Sequence, residues 1–319
     1  MVYRLYLQSM RSEFLSIKKG HMKKVAIYGY YRETQSFSHL LLLLDILIKN
    51  NVQIIFQKVF YDKLRQHNKL LQTYPEFEYF SAYDDLPENI SLFFTYGGDG
   101  TILRAATFIR DKGIPIFGIN AGRLGFLATV QKEEIEKAIM LYLKGQYSIS
   151  ERNLVNIDTK PEIPEIKAMN FALNELVINR KNTTAMITID TYLDDEFLAS
   201  YWADGLIIAT PTGSTGYSLS CNGPVVMPES MNIIINPIAP HNLTARPLVI
   251  PNDNIIRMKV SSREPEFLIS LDSRVYSLST NTEIIAYTAP FTIKLIQFEE
   301  NSFIKTLQKK LLWGQDHRN

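Results

Sequence analysis

Residues 90–95 are apolar enough for a buried strand and residues 101–110 have the spacing of a helix; between them stands Gly97-Gly98-Asp99-Gly100-Thr101. Glycines at a strand-to-helix junction let backbone N–H groups approach an anion, and the helix N-terminus adds positive potential there. A carboxylate in such a loop is unwelcome unless it does chemistry or holds a metal. The stretch therefore reads as a phosphate loop (Gly97, Gly98, Gly100, Thr101) with an acid, Asp99, at its centre. Taken alone the string also suits a tight turn, because Gly and Asp tolerate positive φ. It is not a Walker A loop, whose lysine and spacing are missing.

The surroundings favour the phosphate reading. Strand-like segments at 24–28, 52–57, 91–95 and 114–119 alternate with helix-like segments at 38–49, 61–72, 101–110 and 132–144. Such alternation predicts a parallel, Rossmann-like sheet covered by helices, with ligands at the carboxyl ends of its strands. Ser36 or Ser38 would cap the helix over 38–49. After Gly145 the period changes. Short strands are expected over 148–158, 171–179, 185–193, 197–202, 206–209, 255–261, 267–271, 283–287 and 291–298, with Asp194-Asp195 as a hairpin turn. They predict an antiparallel β-sandwich. An amphipathic helix over 302–313 would return to the first domain. The expected organisation is an α/β domain over 22–146, a β-rich domain over 147–290, and a C-terminal segment over 291–319 packed on the former. Residues 1–21 read as an extension, with Met22 as the natural start.

Composition removes several classes. A chain of 319 residues is long enough for two cored domains. A net charge of +1 argues against a nucleic-acid surface. The longest apolar run, 40–48, is interrupted by Asp45 and too short to span a bilayer. The N-terminus carries Arg4, Arg11, Lys18 and Lys19 without the apolar core of a secretory signal. One cysteine, Cys221, excludes an internal disulfide and suits a reducing compartment, so a cytoplasmic location is expected. Cys221 reads as a small buried residue rather than a nucleophile.

Four further stretches combine polar groups with strand exits. Residues 118–126 form a second glycine-rich exit, which alone would be a plain loop. Leu173-Asn174-Glu175 sets polar residues inside an apolar strand, where a buried pair is costly unless partnered; ribose hydroxyls or a structural partner at a sheet edge would both serve. Residues 203–220 run from an apolar strand into a loop dense in hydroxyls and glycine, groups that hold sugar and phosphate oxygens and are too many for a core. The fourth is His241 with Ala245-Arg246-Pro247-Leu248.

Together these stretches resemble the ATP-NAD kinase family from about Lys23 to Trp313. Gly-Gly-Asp-Gly-Thr is shared with lipid kinases and phosphofructokinases, whereas the Asn-Glu element and the Asp204-to-Ser220 run, in that order, look like NAD kinase. The resemblance implies phosphorylation of the adenosine ribose 2′-hydroxyl of NAD to give NADP. It implies Asp99 as general base, with metal contact as the other open role, and Gly100 on the same ligand. Phe126 would lie beside adenine, and Asn174 and Glu175 would hold ribose hydroxyls. Thr215, Gly216, Tyr217, Ser218, Leu219 and Ser220 would wrap NAD. Asp204 would approach the nicotinamide end from a neighbouring subunit, implying a homodimer or homotetramer. Arg104, Ala185, His241 and Arg274 stand where relatives contact the ligand. Trp202 stands where relatives commonly carry a polar or basic residue, a departure that bears on NAD against NADH.

Phosphoryl transfer needs positioning and charge stabilisation above all. No carboxylate cluster suits a dedicated metal cage, so Mg²⁺ or another divalent cation is expected to arrive with the donor, ATP or polyphosphate. A lipid kinase sharing the loop and a catalytically silent NAD-binding module are the alternatives.

Overall fold

The computed structural model describes residues 24–31, 37–181 (the Leu70 side chain apart) and 185–312. The expected 1–21 extension, Met22 and Ser36 lie outside these residues. The chain divides into two compact units. One holds the described residues up to Phe108, then Ile114–Ile149, and those from Leu295 on; the other holds Ile109–Gly113 and Ser150–Lys294.

The first unit is built on a sheet ordered Glu78–Phe80, Gln53–Gln57, Lys24–Gly29, Leu92–Tyr96, Ile116–Asn120, Ile293–Gln297, Ser148–Arg152. The pairings across its first five strands are parallel. Leu92–Tyr96 and Ile116–Asn120 are buried at every position, as strands covered on both faces must be. Helices Ser38–Lys49, Lys58–His67, Asp99–Ile109 and Ile135–Leu143 supply the cover. The first of these begins at Ser38 itself, with Phe37 in the cap position and no side-chain cap, so the serine cap expectation is not met there. The helix expected over 61–72 starts earlier because the Gln57 side chain accepts from the Phe60 N–H at 2.9 Å. It ends at His67, and a 3₁₀ turn follows over Lys69–Thr73. The C-terminal helix, Phe303–Leu311, is capped by Ser302 and lies in the same unit, its Phe303 ring 6.1 Å from that of Phe126.

The second unit is a sandwich of two antiparallel sheets. One runs Leu248–Pro251, Asn232–Ile238, Gly205–Ala209, Glu175–Arg180, Glu266–Leu271, Arg274–Ser279. The other runs Glu196–Ala203, Ile187–Leu193, Ile256–Ser261, Glu283–Thr288, Val155–Lys160, Phe171–Ala172. Alternate residues such as Leu176, Ile178, Leu206 and Ile208 meet Ile187, Ile189, Met258 and Ile284 in one core. Asp194 and Asp195 form the expected turn, both at positive φ (46° and 75°), with Leu193 and Glu196 paired across it. Strands Asn232–Ile238, Leu248–Pro251 and Arg274–Ser279 are absent from the sequence reading. In the first of them Asn236 and Pro237 interrupt an otherwise apolar run. The strands expected over 148–158 and 171–179 are each broken in two, the second at Leu173-Asn174.

Ile208 is fully buried between the two sheets. Ile208→Ala should destabilise the second unit by about 2–5 kcal/mol through lost transfer energy and a residual cavity. A urea titration followed by far-UV circular dichroism checks this, and an unchanged midpoint would contradict the burial.

Candidate active site

In the first unit the strand Leu92–Tyr96 ends, Gly97 and Gly98 turn the chain, and the helix opens at Asp99. Gly97 and Gly98 reach the rim of a pocket of about 650 Å³. Lys63, Arg104 and Arg123 bring three cations to its walls, with Tyr30 and Tyr31 among its other lining residues. Gly100 and Thr101, in the first helical turn, also line it. A helix start, two glycines and three cations suit a polyanion. Arg104 is exposed in this pocket beside Gly97 and Gly98. Lys63 and Tyr30 escaped the sequence reading because nothing local marks a helix lysine or a strand-end tyrosine as a pocket wall.

Asp99 does not line that pocket. Its carboxylate turns to the 118–126 exit: Oδ2 accepts the Phe126 N–H at 2.8 Å, and Oδ1 accepts those of Leu127 and Ala128 at 3.0 Å each. Asn120 braces the same loop, accepting from Gly122 N–H and donating to the Arg123 and Ala128 carbonyls. The approach is so close that a Cβ on Gly125 would lie 1.9 Å from Asp99 Oδ1. Phe126 is thereby presented with its ring against Phe303 and under Lys310 Nζ, 4.5 Å from the centroid.

In the second unit, Asn174 and Glu175 stand where the strand breaks. Thr210 holds the carbonyl side: its N–H donates to Asn174 O (2.9 Å) and its hydroxyl to Leu173 O (2.6 Å). The hydroxyl-rich loop packs directly on this element. Gly213 is required there, since a Cβ would lie 2.1 Å from Asn174 O; at Gly216 it would be 3.1 Å from Glu175 Oε2. Glu175 is buried, and its Oε2 has no hydrogen-bond partner. Burial, and secondly the nearby Asp272 carboxylate, push the Glu175 carboxyl up to about 8, against the pull of the Tyr217 backbone N–H. A carboxyl with an unused oxygen, protonated near neutrality, is a donor awaiting a ligand oxygen.

The hydroxyls of the loop divide in two. Thr210, Thr212, Ser214 and Ser218 are buried, contrary to the expectation that a core could not use them. Ser214 Oγ bonds both backbone groups of Val226, and Thr210 Oγ1 also accepts the Gly213 N–H, so these hydroxyls mainly hold the loop's own backbone. The buried Asn236 amide donates to Ser218 O, Ser218 Oγ and Cys221 O, tying down the short helix Tyr217–Ser220. Asn236 was missed, although an amide among isoleucines is a readable signal. Thr215, Gly216 and Leu219 are half-buried, while Tyr217 and Ser220 are exposed.

The remaining expected residues are spread over the same unit. Asp204 is ion-paired with Arg180 at 3.1 Å. His241 is exposed, its ring 4.3 Å from that of Trp202 and its N–H on the Trp202 carbonyl. Ala185 is half-buried before the strand Ile187–Leu193. Arg274 donates to the carbonyls of Met169, Phe171 and Leu271 and covers the Phe171 ring, so its guanidinium holds the chain around the Asn-Glu element.

Comparison with known proteins agrees over both units. Residues 31–147 match the ATP-NAD kinase N-terminal domain and residues 173–298 the ATP-NAD kinase C-terminal domain. NAD kinases of Flavobacterium psychrophilum and Christiangramia forsetii are 49% and 48% identical over 296 residues, covering 93% of this chain and 100% of theirs. That of Bacteroides fragilis is 37% identical over 297 residues, covering 92% and 99%. Among solved structures, yeast NADH kinase complexed with NADH superposes with a TM-score of 0.82 at 26% identity, over 94% of this chain and 90% of that one. An Archaeoglobus fulgidus NAD kinase in complex with ATP shares the fold, at a TM-score of 0.68 and 24% identity over 89% and 98%. With both domain models matched and near-half identity along nearly the whole chain, this protein belongs to the ATP-NAD kinase family.

Proposed function

We propose that the chain transfers the terminal phosphate of ATP to the 2′-hydroxyl of the adenosine ribose of NAD, giving NADP. Family membership carries the reaction. For the division of labour, the carrying observation is the pair of glycine-bounded sites, one cationic and one offering a neutral acid. The pocket over Gly97 and Gly98 takes the donor's phosphates, with Lys63, Arg104 and Arg123 offsetting their charge. Asn174 and Glu175 take ribose hydroxyls. Tyr217 and Ser220 contact NAD from the loop rim, and Phe126 lies beside the adenine.

Asp99 serves as the general base. Three of its four lone-pair directions accept backbone N–H groups, which leaves one on Oδ2 for a substrate hydroxyl. No group of three or more His, Cys, Asp or Glu able to hold a metal exists among the described residues, and the donor pocket lining is cationic and neutral. On this reading Mg²⁺ or another divalent cation comes in with the donor phosphates, where it would neutralise charge developing in phosphoryl transfer. The same pocket chemistry accepts polyphosphate. Asp204 completes the site of a neighbouring subunit in a homo-oligomer, and the enzyme works in the cytoplasm.

The deciding assay is NADP formation from NAD with Mg²⁺ and ATP, then with polyphosphate. Product with ATP is expected; NAD binding without product would leave a silent NAD-binding module, and phosphorylation of a lipid alcohol instead would leave a lipid kinase.

Two variants test the roles. Gly125→Ala places a methyl against Asp99 Oδ1 and should displace the carboxylate, lowering turnover by about 10²-fold or more, the scale of a lost general base. Thermal melting of the same variant checks that it folds, and full turnover would remove Asp99 from the chemistry.

Glu175 has a folded value near 8 against an ordinary 4.5, so the folded state binds its proton more tightly than the unfolded chain. Its contribution to stability is fully present below about pH 4.5 and fades as pH rises through 8, on the order of 5 kcal/mol in all. Glu175→Gln keeps the neutral form at every pH and should flatten this part of the melting-temperature profile between pH 5 and about 9. An unchanged profile would mean that Glu175 is ionised throughout.

A further inference from the structure

Asp272 lies outside every motif read from the sequence. It is the first of two residues turning the chain between the strands Glu266–Leu271 and Arg274–Ser279, with Leu271 and Arg274 paired across the turn. Its φ of 52° is in the left-handed region, which Asp tolerates better than most side chains. That conformation carries its carboxylate back toward the broken strand. Oδ2 accepts the Leu173 N–H at 3.0 Å; Oδ1 accepts those of Asn174 at 2.9 Å and, more weakly, Glu175 at 3.4 Å. The Asp272 N–H returns a bond to the Glu175 carbonyl at 3.1 Å.

These N–H groups need an outside acceptor. The strand Phe171–Ala172 belongs to one sheet and Glu175–Arg180 to the other, so the chain changes partners at Leu173-Asn174 and leaves both ladders. Thr210 holds the carbonyls of residues 173 and 174, and Arg274 holds those of Met169 and Phe171. One turn thus contributes acceptor oxygens for the N–H groups and a guanidinium for the carbonyls of the same segment.

We infer that Asp272 is a positioning residue for acceptor binding: by fixing the backbone of residues 173–175 it sets the directions in which the Asn174 and Glu175 side chains meet the ribose. The inference rests on the proposed role of that pair. Asparagine at 272 would keep one acceptor oxygen but turn an NH₂ group toward an N–H, so one or more amides lose their partner.

The experiment measures Asp272→Asn, with Ser273→Ala in the same turn as control, in the full chain. The KM for NAD should rise about tenfold or more in Asp272→Asn while the KM for ATP stays within about twofold, since only the acceptor element is loosened. Amide hydrogen exchange at residues 173–175 should accelerate, and Ser273→Ala should match the wild type in both readouts. A wild-type KM for NAD with unchanged exchange overturns the inference. So does an equal rise in both KM values with a collapsed melting temperature, which marks a general stability role. If Asp272→Asn does not fold, Asp272→Glu, which keeps the carboxyl on a longer arm, is measured instead; failure of both to fold also overturns it. A wild-type chain that makes no NADP strikes the proposed function instead, and the exchange data together with NAD titration then decide the role of Asp272.

Discussion

An aspartate carboxylate accepting successive backbone N–H groups is the interaction on which both candidate sites depend. Asp99 holds residues 126–128 in one unit, and Asp272 holds residues 173–175 in the other. The physical need is the same in each case. Where a chain leaves its strand to present side chains to a ligand, its N–H groups lose their ladder partners, and buried N–H groups without acceptors are costly. A carboxylate can accept several at once through charge-assisted bonds, and so stiffens a loop without regular structure. The loops so held carry Phe126, Asn174 and Glu175, the residues to which adenine and ribose contacts are assigned.

The hydroxyl-rich loop follows the same economy with neutral groups. Thr210 bonds to the carbonyls and N–H groups around Asn174 and Gly213, Ser214 to Val226, and Asn236 to Ser218. These inward groups let Tyr217 and Ser220 stand exposed on a short helix of four residues, which could not hold its shape alone. Glycine at 213 is the condition for the stack, because any side chain there would meet the Asn174 carbonyl.

Much of this was legible in the sequence, and the limits have physical causes. The strand–Gly-Gly-Asp–helix junction, the change from alternating helices and strands to strands alone, and the Asp194-Asp195 turn are local signals, and each has its element in the structure. Asn174 and Glu175 stood out because polar residues inside an apolar run need an explanation. What could not be read were partners distant in sequence. The 173–175 segment gave no hint that residue 272 would hold it, since an Asp at a hairpin turn is ordinary. The buried hydroxyls point outward on composition alone, because composition cannot tell a hydroxyl serving its own backbone from one serving a ligand. Asn232–Ile238 was lost to its Asn and Pro, although Asn236 is there to tether the neighbouring loop.

The second site also sets two acids close together in different surroundings. Burial pushes Asp272 and Glu175 upward alike, but Asp272 has the three N–H groups and Arg274 pulling it back, whereas Glu175 has only the Tyr217 N–H and faces Asp272 besides. Hydrogen bonds from donors favour the charged form, and a like charge nearby disfavours it. The two acids therefore differ in their surroundings: the Asp272 carboxyl is occupied by backbone N–H groups, while Glu175 keeps an oxygen without a partner. On the proposed reading this gives a ribose a neutral acid that can donate from one oxygen and accept on the other, beside an amide that does the same. Vicinal hydroxyls each need a donor and an acceptor, which a fully ionised carboxylate pair could not offer. The Asp272 carboxyl that makes the arrangement possible is spent on backbone amides, where it holds the geometry and does not compete for the substrate.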